Sequence, residues 1–158
     1  MTDKILEQEQ TIEYAQLMQE LDPLSAQVEV LRDRDIRVPI SFYDDRNLRA
    51  QNISDEEISS LEKVFEGIPI SKDVNETYVS CTVSKSSYTL VFQTKTYGFY
   101  ATFPVLGYVI NPFYEIYEGD SSKGKVDLQN GVSESIYNQI ICLRDIALKK
   151  IDVKLAGN

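Results

Sequence analysis

The run Gly119-Asp120-Ser121-Ser122-Lys123-Gly124-Lys125-Val126 carries the glycines and the lysine of a phosphate-cradling loop, G-x-x-x-x-G-K-[ST], in the required order. Such a loop works because backbone N–H groups wrap the phosphates, the lysine neutralises them and a final hydroxyl helps to hold Mg²⁺. Val126 stands where that hydroxyl belongs, and Asn130-Gly131 intervenes before a helix can begin. Those two departures read the segment as a polar loop between a strand and a helix. The chain has no histidine, which removes the commonest general base and the commonest zinc ligand. Its two cysteines, Cys81 and Cys142, lie among apolar neighbours and read as buried reduced thiols, too few for a thiolate metal site. The expectation is a protein that is not an enzyme and that takes no cofactor and no metal.

Carboxylates are the remaining chemistry-bearing set. Asp33/Asp35, Asp44/Asp45 and Asp55-Glu56-Glu57 are clusters of hard oxygen ligands, the type that holds divalent cations. Arg32, Arg34 and Arg37 interleave with the first cluster, so local ion pairing is the simpler explanation there. Asp55, Glu56 and Glu57 fall in the first turn of a helix, where acids complement the dipole. The acid excess is uneven: residues 1–66 hold 16 of the 25 acids and 7 of the 16 bases, a local balance of −9, and the rest of the chain cancels. Carboxylates on rigid helices can imitate phosphates and occupy the basic groove of a nucleic-acid-handling protein. A solvated face that keeps a small protein soluble is the plainer use of the same charge. Direct nucleic-acid binding is disfavoured, because a chain of net charge −9 repels phosphates.

Aromatic residues concentrate elsewhere, with 11 of the 16 lying between Tyr78 and Tyr117. Alternation over 77–83, 88–94 and 97–105 puts Tyr78, Ser80, Thr82, Thr89, Gln93, Tyr100 and Thr102 on one face of a sheet. That composition resembles antibody loops, in which tyrosine supplies contact area at low entropic cost. The same residues also suit any half-wet sheet surface.

The elements that position these groups can be read from periodicity and turn chemistry. Residues 4–21 predict a helix, Asp22-Pro23 a restart, and a second short helix runs to Asp33. Tyr14, Leu17, Leu21, Leu24, Val28 and Leu31 follow a 3, 4, 3, 4, 3 spacing that suits either a short dimerising coil or a hairpin on the body. Residues 36–43 predict a strand that Pro39 confines to an edge. Ser54-Asp55-Glu56-Glu57 is a capping box opening a helix at 55–66. A β-meander follows, with short strands at 108–110 and 113–118, and a broad apolar stripe from Ser133 to about Leu155 predicts a long helix lying across the sheet. The expected architecture is α+β: N-terminal helices (1–35, an arm or hairpin), then one domain (36–158) with an antiparallel meander of four to five strands and the C-terminal helix packed on it.

No run approaches the roughly 18 apolar residues that cross a bilayer, and the acidic N-terminus lacks an apolar targeting stretch, so a cytoplasmic location without membrane contact is expected. The functional expectation is binding of another, basic protein, with inhibition of a nucleic-acid-handling target as its concrete form. Asp55, Glu56, Glu57, Glu62 and Glu66 would steer the encounter, and Tyr78, Tyr100 and Thr102 would make the buried contact. The alternative is a self-assembling scaffold or secretion-type chaperone, a homodimer joined through Tyr14, Leu17, Leu21, Leu24, Val28 and Leu31.

Overall fold

The computed structural model describes residues 11–33, 40–41, 54–65, 78–94, 96–105 and 107–156. Strict alternation builds the central sheet. Strands β3 (Tyr78–Val83), β4 (Ser87–Gln93) and β5 (Tyr97–Pro104) turn Val79, Cys81, Val83, Tyr88, Leu90, Phe92, Phe99, Ala101 and Phe103 to one buried face. Register keeps those faces aligned, with Cys81 opposite Leu90 and Leu90 opposite Ala101. A hydroxyl closes each hairpin: Ser87 N–H donates to Ser84 Oγ at 3.2 Å, and Tyr97 N–H donates to Thr94 Oγ1 at 2.9 Å. The two-residue edge strand β2 (Ile40–Ser41) pairs with β3, the edge role expected of the 36–43 segment. At the other side β6 (Phe113–Glu118) pairs with β5.

One strand was not expected. Ser121–Asp127, read as a polar loop, is β7, which pairs with β6 across the two-residue Gly119-Asp120 turn. Among the described residues the sheet therefore has six strands in the order β2-β3-β4-β5-β6-β7, all antiparallel. All seven β7 residues are exposed, so no apolar alternation marked the strand. Its lysines and the positive φ of Gly124 (100°) suit an edge that discourages further pairing. Residues 108–110, expected as a short strand, form none.

Helix α1 (Tyr14–Asp33) corrects the N-terminal reading. It runs unbroken through Pro23, and Ile12 lies outside it in β1 (Thr11–Ile12), which pairs with β8 (Val132–Ser133). An interior proline costs about 3 kcal/mol. Leu17, Leu21, Leu24, Val28 and Leu31 are all fully buried along one stripe, while Pro23 is on the exposed side. Burial of large apolar side chains stabilises by about 1.5–3 kcal/mol each, so one continuous stripe outweighs the lost hydrogen bond. The restart at Asp22 is thus overridden by packing. Positions 4–10 of the expected helix lie outside the described residues.

The other helices behave as their caps and stripes require. In α2 (Asp55–Val64), Glu57 N–H donates to Ser54 Oγ (3.1 Å) and Ser54 N–H to Glu57 Oε1 (2.9 Å), a complete capping box. After β7, a short 3₁₀ turn (Leu128–Asn130) leads to β8 and α3 (Glu134–Ala156), whose first turn is capped by Ser133 Oγ accepting from Ile136 N–H at 3.3 Å. Arg144 bonds the Glu20 carbonyl and Gln27 bonds Asp152, so α1 and α3 run parallel. Helix α2 is pinned by Phe65, fully buried, stacked on Phe92 at 3.9 Å and edge-on to Phe99 at 5.9 Å. One core cluster holds residues of α1, α3, Leu61, Phe65 and the inner sheet face. The architecture is α+β, with the long C-terminal helix on the sheet. Among the described residues, no helix is long and apolar enough to cross a membrane.

Both cysteines are buried and free. Burial pushes the Cys81 thiol up to about 12, and burial with Asp145 and Glu57 nearby pushes Cys142 up to about 11. The folded state holds these protons more tightly than the unfolded one. Their contribution is therefore fully present below pH 9 and is lost as pH rises toward 12. Urea unfolding should show stability falling from about pH 9 upward, by about 1.4 kcal/mol per pH unit for Cys81, and Cys81→Ala should make that fall shallower. Phe65→Ala should cost about 3–5 kcal/mol in the same assay; an unchanged midpoint would mean that α2 is not docked on the sheet.

Candidate functional site

The outer face of the sheet carries the polar and aromatic half of each alternation. Cross-strand register brings Tyr78 opposite Gln93, Thr89 opposite Thr102, Tyr100 opposite Glu115 and Gly98 opposite Tyr117. These side chains connect. The Tyr100 hydroxyl donates to Gln93 Oε1 at 2.9 Å, and the Tyr78 hydroxyl donates to the same oxygen. Thr89 and Thr102 share a hydroxyl–hydroxyl bond of 2.9 Å. Tyr100 meets Tyr117 edge to face, with ring centroids 5.6 Å apart and planes at 78°.

Gly98 explains where the Tyr100 ring lies. A Cβ at position 98 would sit 2.8 Å from Tyr100 Cε1, so only glycine leaves room for the ring to lean along its own strand. The result is a shallow groove of about 540 Å³ whose lining includes Gln93, Tyr100, Thr102, Phe113, Glu115, Tyr117 and Asp120. At one end the Lys125 ammonium lies 4.7 Å from the centre of the Phe113 ring. Glu115 Oε2 accepts from Ser122 Oγ at 2.7 Å. Burial raises the Tyr100 phenol above its ordinary pKa, with Tyr117 adding to it. Tyr117 is raised by desolvation and then by the Glu115 carboxylate. Both phenols are neutral at physiological pH, so each carries a proton that it can donate in a hydrogen bond.

The sequence-derived partner residues divide between two sides of the domain. Tyr78, Tyr100 and Thr102 share the outer face. Asp55, Glu56, Glu57 and Glu62 lie on α2, whose Leu61 and following Phe65 enter the core on the inner face. Glu57 is engaged within the domain itself. It caps its own helix, is only 13% exposed at the side chain, and lies 3.7 Å from Lys149 Nζ and 3.9 Å from Lys150 Nζ. Burial lowers the Lys150 pKa, and Glu57 opposes that shift. Glu56 and Glu62 are exposed, and Glu66 lies outside the described residues. Of the dimerisation stripe, Leu17, Leu21, Leu24, Val28 and Leu31 are wholly inside the core and Tyr14 packs against it.

Sequence reasoning missed Phe113, Glu115, Tyr117 and Asp120. The signal was present in 113–118, where Phe113, Glu115 and Tyr117 alternate with Tyr114, Ile116 and Glu118, but only the register with β5 sets them beside Tyr100. The other large depression, about 830 Å³ between α2 and α3, is lined by Ser60, Lys63, Asn138, Cys142 and Asp145 among others, and its thiol is held protonated by burial. Comparison with family models, with curated proteins and with solved structures returns no match.

Gly98→Ala tests the geometry of the face. The added methyl should displace the Tyr100 ring, breaking its bond to Gln93 and removing the ring-current shifts between Tyr100 and Tyr117 in NMR spectra, while the fold persists. Unchanged Tyr100 and Tyr117 ring resonances would contradict the arrangement.

Proposed function

We propose that this chain is a non-catalytic domain that binds another protein through the outer face of its sheet. The observation that supports this reading is the placement of Tyr100, Tyr117 and Phe113. All three are half-buried, lie outside the core cluster and line the groove on the outer face of the sheet. A connected tyrosine surface beside a groove gives a partner rigid contact area at small entropic cost. Inhibition of a basic target is the form of binding that the acid excess favours, and the groove's own lining includes Glu115 and Asp120.

Electrostatics and contact have separate roles in this reading. The exposed acids of α2, Glu56 and Glu62, belong to the helical side of the domain, and screening at physiological salt acts over about 8 Å. They contribute to the encounter rate at low salt, and the tyrosine face governs the lifetime of the complex. Two free, buried thiols support a reducing compartment such as the cytoplasm. Self-assembly through α1 is not favoured, because its apolar stripe is spent inside the chain's own core.

Affinity capture from the native host, compared across variants, tests the reading. Tyr78→Thr with Tyr100→Thr should abolish recovery of the partner, and Glu56→Lys with Glu62→Lys should weaken recovery only at low salt. A partner that survives the tyrosine changes and is lost with the α2 changes would overturn the assignment of the face.

A further inference from the structure

We infer that the groove beside Tyr100 and Tyr117 receives an arginine side chain of the bound protein. The inference rests on the reading of this face as the partner-binding surface. Its basis is what the groove offers a ligand. The Tyr100 proton is committed to Gln93 Oε1, so the hydroxyl oxygen keeps its lone pairs for accepting. Glu115 and Asp120 add carboxylate oxygens, and no basic residue is among the described lining residues. An acceptor-rich groove is complemented by a ligand rich in donors and positively charged.

The rings narrow the choice. Tyr117 and Tyr100 stand nearly perpendicular, and both line the groove. A cation already rests on this surface: Lys125 lies over Phe113 in the neighbouring cross-strand row and not on Glu115, whose Oε2 is bonded by Ser122. Guanidinium is planar, stacks on an aromatic face and carries five donors in a fixed fork. It can stack on Tyr117 while donating to the Glu115 carboxylate and to the Tyr100 oxygen. An ammonium has the charge but neither the plane nor the fork, so lysine is the weaker ligand.

Three peptides of the form acetyl-Ala-X-Ala-amide, with X arginine, lysine or citrulline, separate the contributions. Citrulline keeps the planar shape and loses the charge. In titrations of the isotope-labelled chain, the arginine peptide should shift the resonances of Tyr100, Glu115 and Tyr117. It should bind at least about tenfold more tightly than the citrulline peptide, with lysine between them. Glu115→Gln, which preserves shape, should weaken arginine binding by at least about threefold. Tyr117→Thr should do the same by removing the ring, and the Glu56→Lys/Glu62→Lys variant should bind it as the native chain does. Equal binding of arginine and citrulline, or shifts confined to α2, would overturn the inference. If the captured partner protects this face but the arginine peptide does not shift it, the arginine assignment fails and the protein-binding reading stands. If neither engages the face, both fall.

Discussion

One-sided burial of the sheet is the constraint on which everything else depends. Side chains alternate across a strand, so committing Val79, Cys81, Leu90, Phe92, Phe99 and Ala101 to the helices also commits Ser80, Val91, Tyr100 and Thr102 to the opposite side. A slip of one residue in register would put tyrosine hydroxyls into the core and phenylalanines into water. The Phe65–Phe92–Phe99 contact and the buried residues of α3 hold that register by packing against the inner side. The polar, tyrosine-bearing outer face is therefore a consequence of the core and not an addition to it.

Polar groups are arranged with the same economy. Glu57 completes the capping box and lies between Lys149 and Lys150, and Arg144 joins α3 to the Glu20 carbonyl of α1. These acids and bases organise the helical layer, so a count of carboxylates overstates the charge left for a partner. On the outer face Gln93 plays the comparable role. By accepting from both Tyr78 and Tyr100 it ties the two hydroxyls to one oxygen.

Much of this was legible in the residues, for identifiable reasons. Period-two alternation marked β3 to β5 and their faces, Ser54 with Glu57 marked the start of α2, and the stripe from Ile136 to Ile151 marked α3. Pro23 misled because its local preference was outweighed by five buried side chains whose joint contribution is tertiary. β7 was hidden because a fully exposed edge strand has no apolar period, and its glycines mimicked a phosphate loop. The groove was half legible. Tyr78, Tyr100 and Thr102 follow from alternation alone, whereas Phe113, Glu115 and Tyr117 join them only through pairing with β5. The acidic helix and the tyrosines look like one site in a linear reading, and the fold puts them on different sides.

The most direct test of this division is solvent exposure of individual tyrosine rings, measured by paramagnetic relaxation from a soluble probe in NMR spectra of the free chain. Tyr100 and Tyr117 should relax strongly, and Tyr88, wholly buried in the core, should not respond. Protection of Tyr100 and Tyr117 to the level of Tyr88 would mean that the outer face is covered, and a covered face cannot be the binding surface.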